Sequence, residues 1–180
     1  GMLGSYYASI HPDHVSSLIL SASGGLDLTI LGTSLVNDRL TSSQRDSLSY
    51  WSRRVRGGDE SEYARLKRAT FLAPAYLENK DNVPAVAERL TQGNLFLNGL
   101  VWQDMQSFDY DIKEEMSRFE KPVLILHGEQ DVVDPDSARS SHEIFPKSEL
   151  IIMSNCSHYG WLDQPQVYFE AIFTFLEQFS

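Results

Sequence analysis

Two residues of this chain have the types and the setting for acid–base chemistry. Asp131 stands in Gly128-Glu129-Gln130-Asp131-Val132-Val133-Asp134-Pro135, directly after the apolar run Val123-Leu124-Ile125-Leu126. His158 stands in Asn155-Cys156-Ser157-His158-Tyr159-Gly160-Trp161, directly after Leu150-Ile151-Ile152-Met153. Short apolar runs bounded by turn residues read as buried strands. In an open parallel sheet, functional groups gather at the C-terminal edge of the strands. Two consecutive strands therefore deliver a carboxylate and an imidazole to one edge. A neutral imidazole serves as general base only when its tautomer and ring angle are fixed, and a buried carboxylate on the far ring nitrogen fixes both. The expected chemistry is proton transfer on behalf of a nucleophile.

The neighbouring candidates have plainer readings. Asp134 precedes Pro135 and reads as a helix cap. Glu129 reads as a solvent-facing turn residue, His127 as a local packing or hydrogen-bonding group, and His11, His14 and His142 as surface residues. No histidine has a second ligand at metal spacing. Cys156 lies on the same turn as His158 with one residue between them, a poor geometry for attack, and reads as a buried thiol. Asp163 reads as the cap of the last helix, and Asp59-Glu60-Ser61-Glu62 as a solvated helix start.

The elements that must position this pair follow from pattern. Met2 to Ile10 spaces its apolar groups as a buried helix, stopped at His11-Pro12 because proline disfavours helical geometry in the residue before it. Val15 to Ser21 reads as a buried strand and Ser21 to Gly25 as the loop that ends it. From about residue 26 to 118 strand signals vanish. Thr41 and Gln44 form a capping box ahead of Leu48, Trp51 and Val55, and Gly57-Gly58 ends that helix. Tyr63, Leu66 and Ala69 to Leu72 make a second helix, closed near Pro74. Val86 to Leu90 and Leu95 to Met105 make two more. Strand grammar returns at Val123 to Gly128 and Ser148 to Met153. A last helix from Pro165 places Tyr168, Ile172, Phe175, Leu176 and Phe179 on one face. Strands alternating with helices imply a parallel sheet covered on both faces, an α/β fold.

Composition narrows the partners. The net charge of −10 over 180 residues argues against nucleic acid, whose phosphates need clustered Lys and Arg. It argues equally against an anionic membrane surface. No apolar run approaches the roughly 20 residues that span a bilayer. A single cysteine, Cys156, excludes an intrachain disulfide. The opening residues lack a secretory-signal pattern, so the expectation is a cytoplasmic protein; the acid–base chemistry expected of Asp131 and His158 implies no cofactor.

At this point a resemblance becomes specific. Pro122 to Asp131 resembles the acid-bearing strand and turn of α/β-hydrolases, and Ser157 to Pro165 resembles the turn that carries their catalytic histidine. Gly1 to Val15 resembles the helix that follows their nucleophile elbow. The resemblance implies the C-terminal part of the family's parallel sheet, about three strands, in residues 1–25 and 119–180, with a helical cap at 26–118. Within the family the chain is most similar to the cap-bearing, proline iminopeptidase-like branch. It implies that His158 is general base and then general acid, that Asp131 orients it, and that the substrate is a small-molecule ester or peptide. A cap carboxylate that grips a substrate amine is implied as well, with Glu62, Glu78 and Glu88 open as candidates.

The departure concerns the nucleophile. The elbow pattern Gly-x-Ser-x-Gly does not occur in the chain. Ser23 precedes Gly24-Gly25 but follows the wrong strand, and Ser5 lies within the first helix. If Gly1 matches the elbow's last glycine, the nucleophile stands two residues ahead of the chain, and serine or aspartate is open. The chain alone is then expected to be inactive. The alternative expectation is a non-catalytic interaction module, a homo-oligomer paired through an exposed strand 15–21.

Overall fold

The computed structural model describes residues 1–29 and 34–178. At its centre is a three-stranded parallel sheet in the order β1-β2-β3, formed by Leu18–Ser21, Val123–Gly128 and Ser148–Met153. Leu18 faces Val123, and Val123 faces Ser148. β2 is buried at all of its positions, which explains why it reads as an unbroken apolar run.

Alternation along β2 divides the core in two. Val123 and Ile125 face a cluster with Ala8, Leu20, Met116, Phe119, Ala138 and Phe145. Apart from Leu20 of β1, these come from α1 (Met2–Ile10), α6 (Lys113–Met116) and α7 (Asp136–Ile144) and the segments beside them. Leu124 and Leu126 face Met153, Cys156, Tyr168 and Phe175, the last two from α9 (Pro165–Glu177). The sheet is thus covered on both faces, as the α/β expectation requires.

Between β1 and β2 come four longer helices: α2 (Ser42–Arg56), α3 (Glu62–Leu72), α4 (Val83–Thr91) and α5 (Leu95–Ser107). α2 begins as its sequence foretells: the Gln44 amide donates to Thr41 Oγ1 at 3.2 Å and the Thr41 amide to Gln44 Oε1 at 2.9 Å. It ends at Gly57, followed by Gly58 at φ +96°, a left-handed turn that glycine adopts without steric cost. The two ends of this helical segment are clasped together. Asp27 and Asp111 form an antiparallel bridge, the Ile112 amide donates to the Leu26 carbonyl, and Lys113 pairs with Asp27 at 2.7 Å.

Three features differ from the sequence reading. The first strand starts at Leu18 rather than Val15. Val15 closes a 3₁₀ turn at Pro12–His14, and pairing begins where the Leu18 amide donates to the Pro122 carbonyl; Pro122 has no N–H with which to extend the ladder. α7 starts at Asp136, one residue past the expected proline, yet Asp134 still works at its entrance by accepting the Asp136 amide at 3.0 Å. On α9, Tyr168 and Phe175 are buried but Leu176 is 45% exposed. At about 100° per residue it sits about 80° round from Tyr168, at the edge of the stripe. Phe179 lies outside the described residues. No described helix is long and apolar enough to cross a membrane.

The two-faced core makes a ranked stability prediction. Leu126→Ala removes a fully buried side chain and is expected to cost about 2–5 kcal/mol. Thr41→Ala removes an exposed cap and is expected to cost about 1 kcal/mol. Urea denaturation of the two variants checks both the order and the gap.

Candidate active site

β2 and β3 end side by side, and backbone bonding continues past them. The Glu129 amide donates to the Met153 carbonyl and the Gln130 amide to the Cys156 carbonyl, both at 2.9 Å. The Gln130 side chain then accepts the Cys156 amide at 3.1 Å. This extra rung holds the turn after β2 against the turn after β3. Gly128 makes the approach possible: a Cβ there would lie 2.3 Å from the Ser157 carbonyl oxygen and 2.4 Å from that of Cys156, and neither backbone oxygen can yield.

The rung brings the two expected residues together. His158 Nδ1 lies 2.9 Å from Asp131 Oδ1, and the same oxygen accepts the Val133 amide at 3.0 Å. A carboxylate oxygen accepts, so Nδ1 carries the proton in neutral His158 and Nε2 offers its lone pair. The Asp131 side chain is fully buried, while the His158 side chain is 27% exposed. The acid is therefore shielded and the imidazole reachable. Among the described residues, no hydrogen bond is formed at Nε2. A second imidazole stands behind the acid. His127 is fully buried, with Nε2 3.0 Å from the Val133 carbonyl and 3.5 Å from Asp131 Oδ2. Its local hydrogen bond was expected; its place against the acid's second oxygen was not, because residues 127 and 131 meet only through the tightness of the turn between them.

The helical segment is fastened to the histidine turn from the other side. The His158 amide donates to the Tyr76 carbonyl at 3.2 Å, and Ser157 Oγ to the Ala75 carbonyl at 3.2 Å. Tyr76 packs edge-on against the imidazole with ring centres 5.1 Å apart, and Tyr159 does so at 5.5 Å. Asp163 corrects the sequence reading. It caps no helix: its carboxylate accepts the amides of Glu78, Asn79 and Ser157 at 2.9–3.1 Å, and Gln164 stands at the start of α9. Its position two residues before Pro165 suggested a cap; its partners come from a segment 85 residues away, which no local pattern reveals.

The other candidates fall outside the pair. Glu129, His11, His14 and His142 are exposed. Ser5 is buried in α1 (Met2–Ile10), and Ser23 is buried in the loop after β1. Glu78 pairs with Arg39. Glu62 and Glu88 line a separate groove between α3 and α4. Cys156 is buried and donates to the Ser157 carbonyl at 3.3 Å. Burial, with Asp163 and Asp131 nearby, pushes its thiol up to about 12. Among the described residues, no group of three or more His, Cys, Asp or Glu side chains is placed to hold a metal ion.

The thiol makes a prediction. Reaction with iodoacetamide needs the thiolate, and a group titrating near 12 is ionised at neutral pH to on the order of one part in 10⁵. Native protein is expected to stay unalkylated at Cys156 and to react readily in concentrated urea, as read by intact mass.

Residues 1–165 match the family described as the alpha/beta hydrolase fold. The proline iminopeptidase of Lactobacillus acidophilus is 24% identical over 204 residues, an alignment that covers 98% of this chain and 62% of that protein. Among solved structures, a meta-cleavage product hydrolase from Pseudomonas fluorescens superposes with a TM-score of 0.68 at 16% identity, over 98% of this chain and 61% of its own. An esterase from Rhodococcus superposes with a TM-score of 0.62 at 18% identity, over 99% and 62%. The chain thus spans less than two thirds of the length of these relatives, and at such identities the solved structures share its fold.

Proposed function

Because the chain belongs to the α/β-hydrolase fold family, we propose that Asp131 and His158 are the acid–base part of a Ser-His-Asp hydrolase acting on ester or peptide bonds. The observation that carries this reading is the 2.9 Å bond that Nδ1 of a partly exposed His158 donates to the buried Asp131. In that reaction Nε2 of His158 takes the proton of the attacking hydroxyl as its oxygen adds to the carbonyl carbon. The resulting imidazolium returns the proton to the departing alcohol or amine, and water then repeats the sequence to release the acid. Asp131 holds the ring and stabilises the imidazolium. The helical segment 26–118 acts as the cap over this edge, fastened to the histidine turn through Tyr76 and Asp163.

The chain taken alone is proposed to be inactive, because the sequence holds no Gly-x-Ser-x-Gly elbow. The test is hydrolysis of 4-nitrophenyl butyrate and proline 4-nitroanilide. The chain alone is expected to match buffer. The chain preceded by in-frame upstream codons that encode an elbow is expected to turn over one of them, with a loss of about 10⁴-fold on Asp131→Asn or His158→Ala. Turnover that is indifferent to His158 in either form would sink the reading.

A second reading rests on β1. It pairs with β2 on one side and no strand lies on its other side among the described residues, so its outer backbone groups are an edge onto which a strand can add. On this reading the chain is an interaction module that self-associates through β1. Light scattering at micromolar concentration is expected to give a mass of twice the 20.4 kDa chain or more; a monomer rules this reading out.

A further inference from the structure

Glu62 and Glu88 line a groove of their own and Glu78 pairs with Arg39; the cleft behind the two rings that pack on His158 carries arginines instead. A cleft of about 560 Å³ opens between α3, α4 and the start of α5. Its inner wall is made by Tyr76 and Tyr159, the two rings that pack on the His158 imidazole, so the cleft ends one side chain from the acid–base pair. Arg68 and Arg89 line it together with Leu72, Leu90 and three side-chain amides. No carboxylate lines it among the described residues.

Both guanidiniums lack an ion pair among the described residues, and no acidic side chain shares their wall. The chain has 25 acidic and 15 basic residues. In such a chain, two unpaired arginines on an acid-free wall are a local reversal of charge. Their effect already reaches the tyrosines. Burial raises both hydroxyls, while Arg68 pulls Tyr76 back and Arg89 pulls Tyr159 back. The guanidinium fork matches the flat oxygen pair of a carboxylate and the oxygens of a phosphate. Leu72 and Leu90 supply an apolar bed next to it.

We propose that this cleft binds an anionic ligand, with its carboxylate or phosphate at Arg68 and Arg89 and its apolar portion on Leu72 and Leu90. As the site for the far end of a substrate, this assignment rests on the hydrolase reading of His158. As an anion site it stands on the cleft alone. It sets the substrate class apart from that of an amine-gripping peptidase, because an ammonium group would meet two like charges.

The test is direct binding to the full chain, which needs no turnover. Calorimetry with 4-phenylbutyrate, its neutral methyl ester, 4-phenylbutylamine and phenyl phosphate compares the charges, and amide shifts of Tyr159 and Arg89 locate the site. An anion is expected to bind at least about tenfold more tightly than the ester, the value of one charge-assisted hydrogen bond. The amine is expected to bind more weakly still. Whichever of 4-phenylbutyrate and phenyl phosphate is tighter names the source of the anion. Arg68→Gln with Arg89→Gln is expected to remove that preference while the thermal melt is kept. The proposal is overturned if the ester or the amine binds as well as the anions, if nothing binds, or if a folded double variant keeps the preference. The hydrolysis test answers separately, since it reads His158 and not the charge of the ligand.

Discussion

The carboxyl group of Asp131 is shut away from water, and a group so placed must find its hydrogen bonds inside the protein. That demand organises this whole edge of the sheet. One oxygen takes the Val133 amide, which closes the turn after β2, and His158, which belongs to the turn after β3. The other faces His127, itself held by the Val133 carbonyl. Val132, between these groups, packs with Leu40 and Ala75 of the helical segment. Removing the carboxyl would leave donors unpaired in two turns at once, so the acid orients the imidazole and shapes its own surroundings through the same contacts.

A comparable economy ties the helical segment to the sheet. Asp163, Ser157 and the backbone of His158 all reach residues 75–79. Tyr159, the residue after the histidine, is part of the core formed by α3 and α4. The turn that aims the imidazole is therefore also the floor of the helical segment. Whatever presses on those helices from the solvent side bears on the ring next to His158.

The sequence made some of this legible and hid the rest for physical reasons. Thr41 and Gln44 were readable because a capping box is a contact across three residues. The fully buried β2 was readable because burial on both faces leaves an unbroken apolar run. Asp131 and His158 were readable because each stands just past such a run, although their 2.9 Å bond is a tertiary fact. Asp163 was misread because its local position, ahead of a proline-led helix, fits a cap as well as it fits the long-range clasp it makes. Leu18, and not Val15, begins the first strand because the partner strand, not the strand's own pattern, decides where pairing starts. The shared cleft of Arg68 and Arg89 had no signature at all: the residues are on different helices and line one wall only when those helices pack.

The clasp between Asp27, Asp111 and Lys113 has a consequence for how the chain reaches this structure. β1 and β2 are neighbours in the sheet, yet the whole helical segment intervenes between them. Closing so long a loop costs conformational entropy that rises only with the logarithm of its length, about 0.6 kcal/mol for each doubling. Once residues 26–27 and 111–113 are joined, the strands are held by short tethers, and their pairing no longer senses how much chain lies beyond the clasp. The pairing of β1 with β2 is thereby insulated from insertions and deletions among the helices. Such changes can reshape the ligand cleft while the register of Leu18 with Val123 stays as it is.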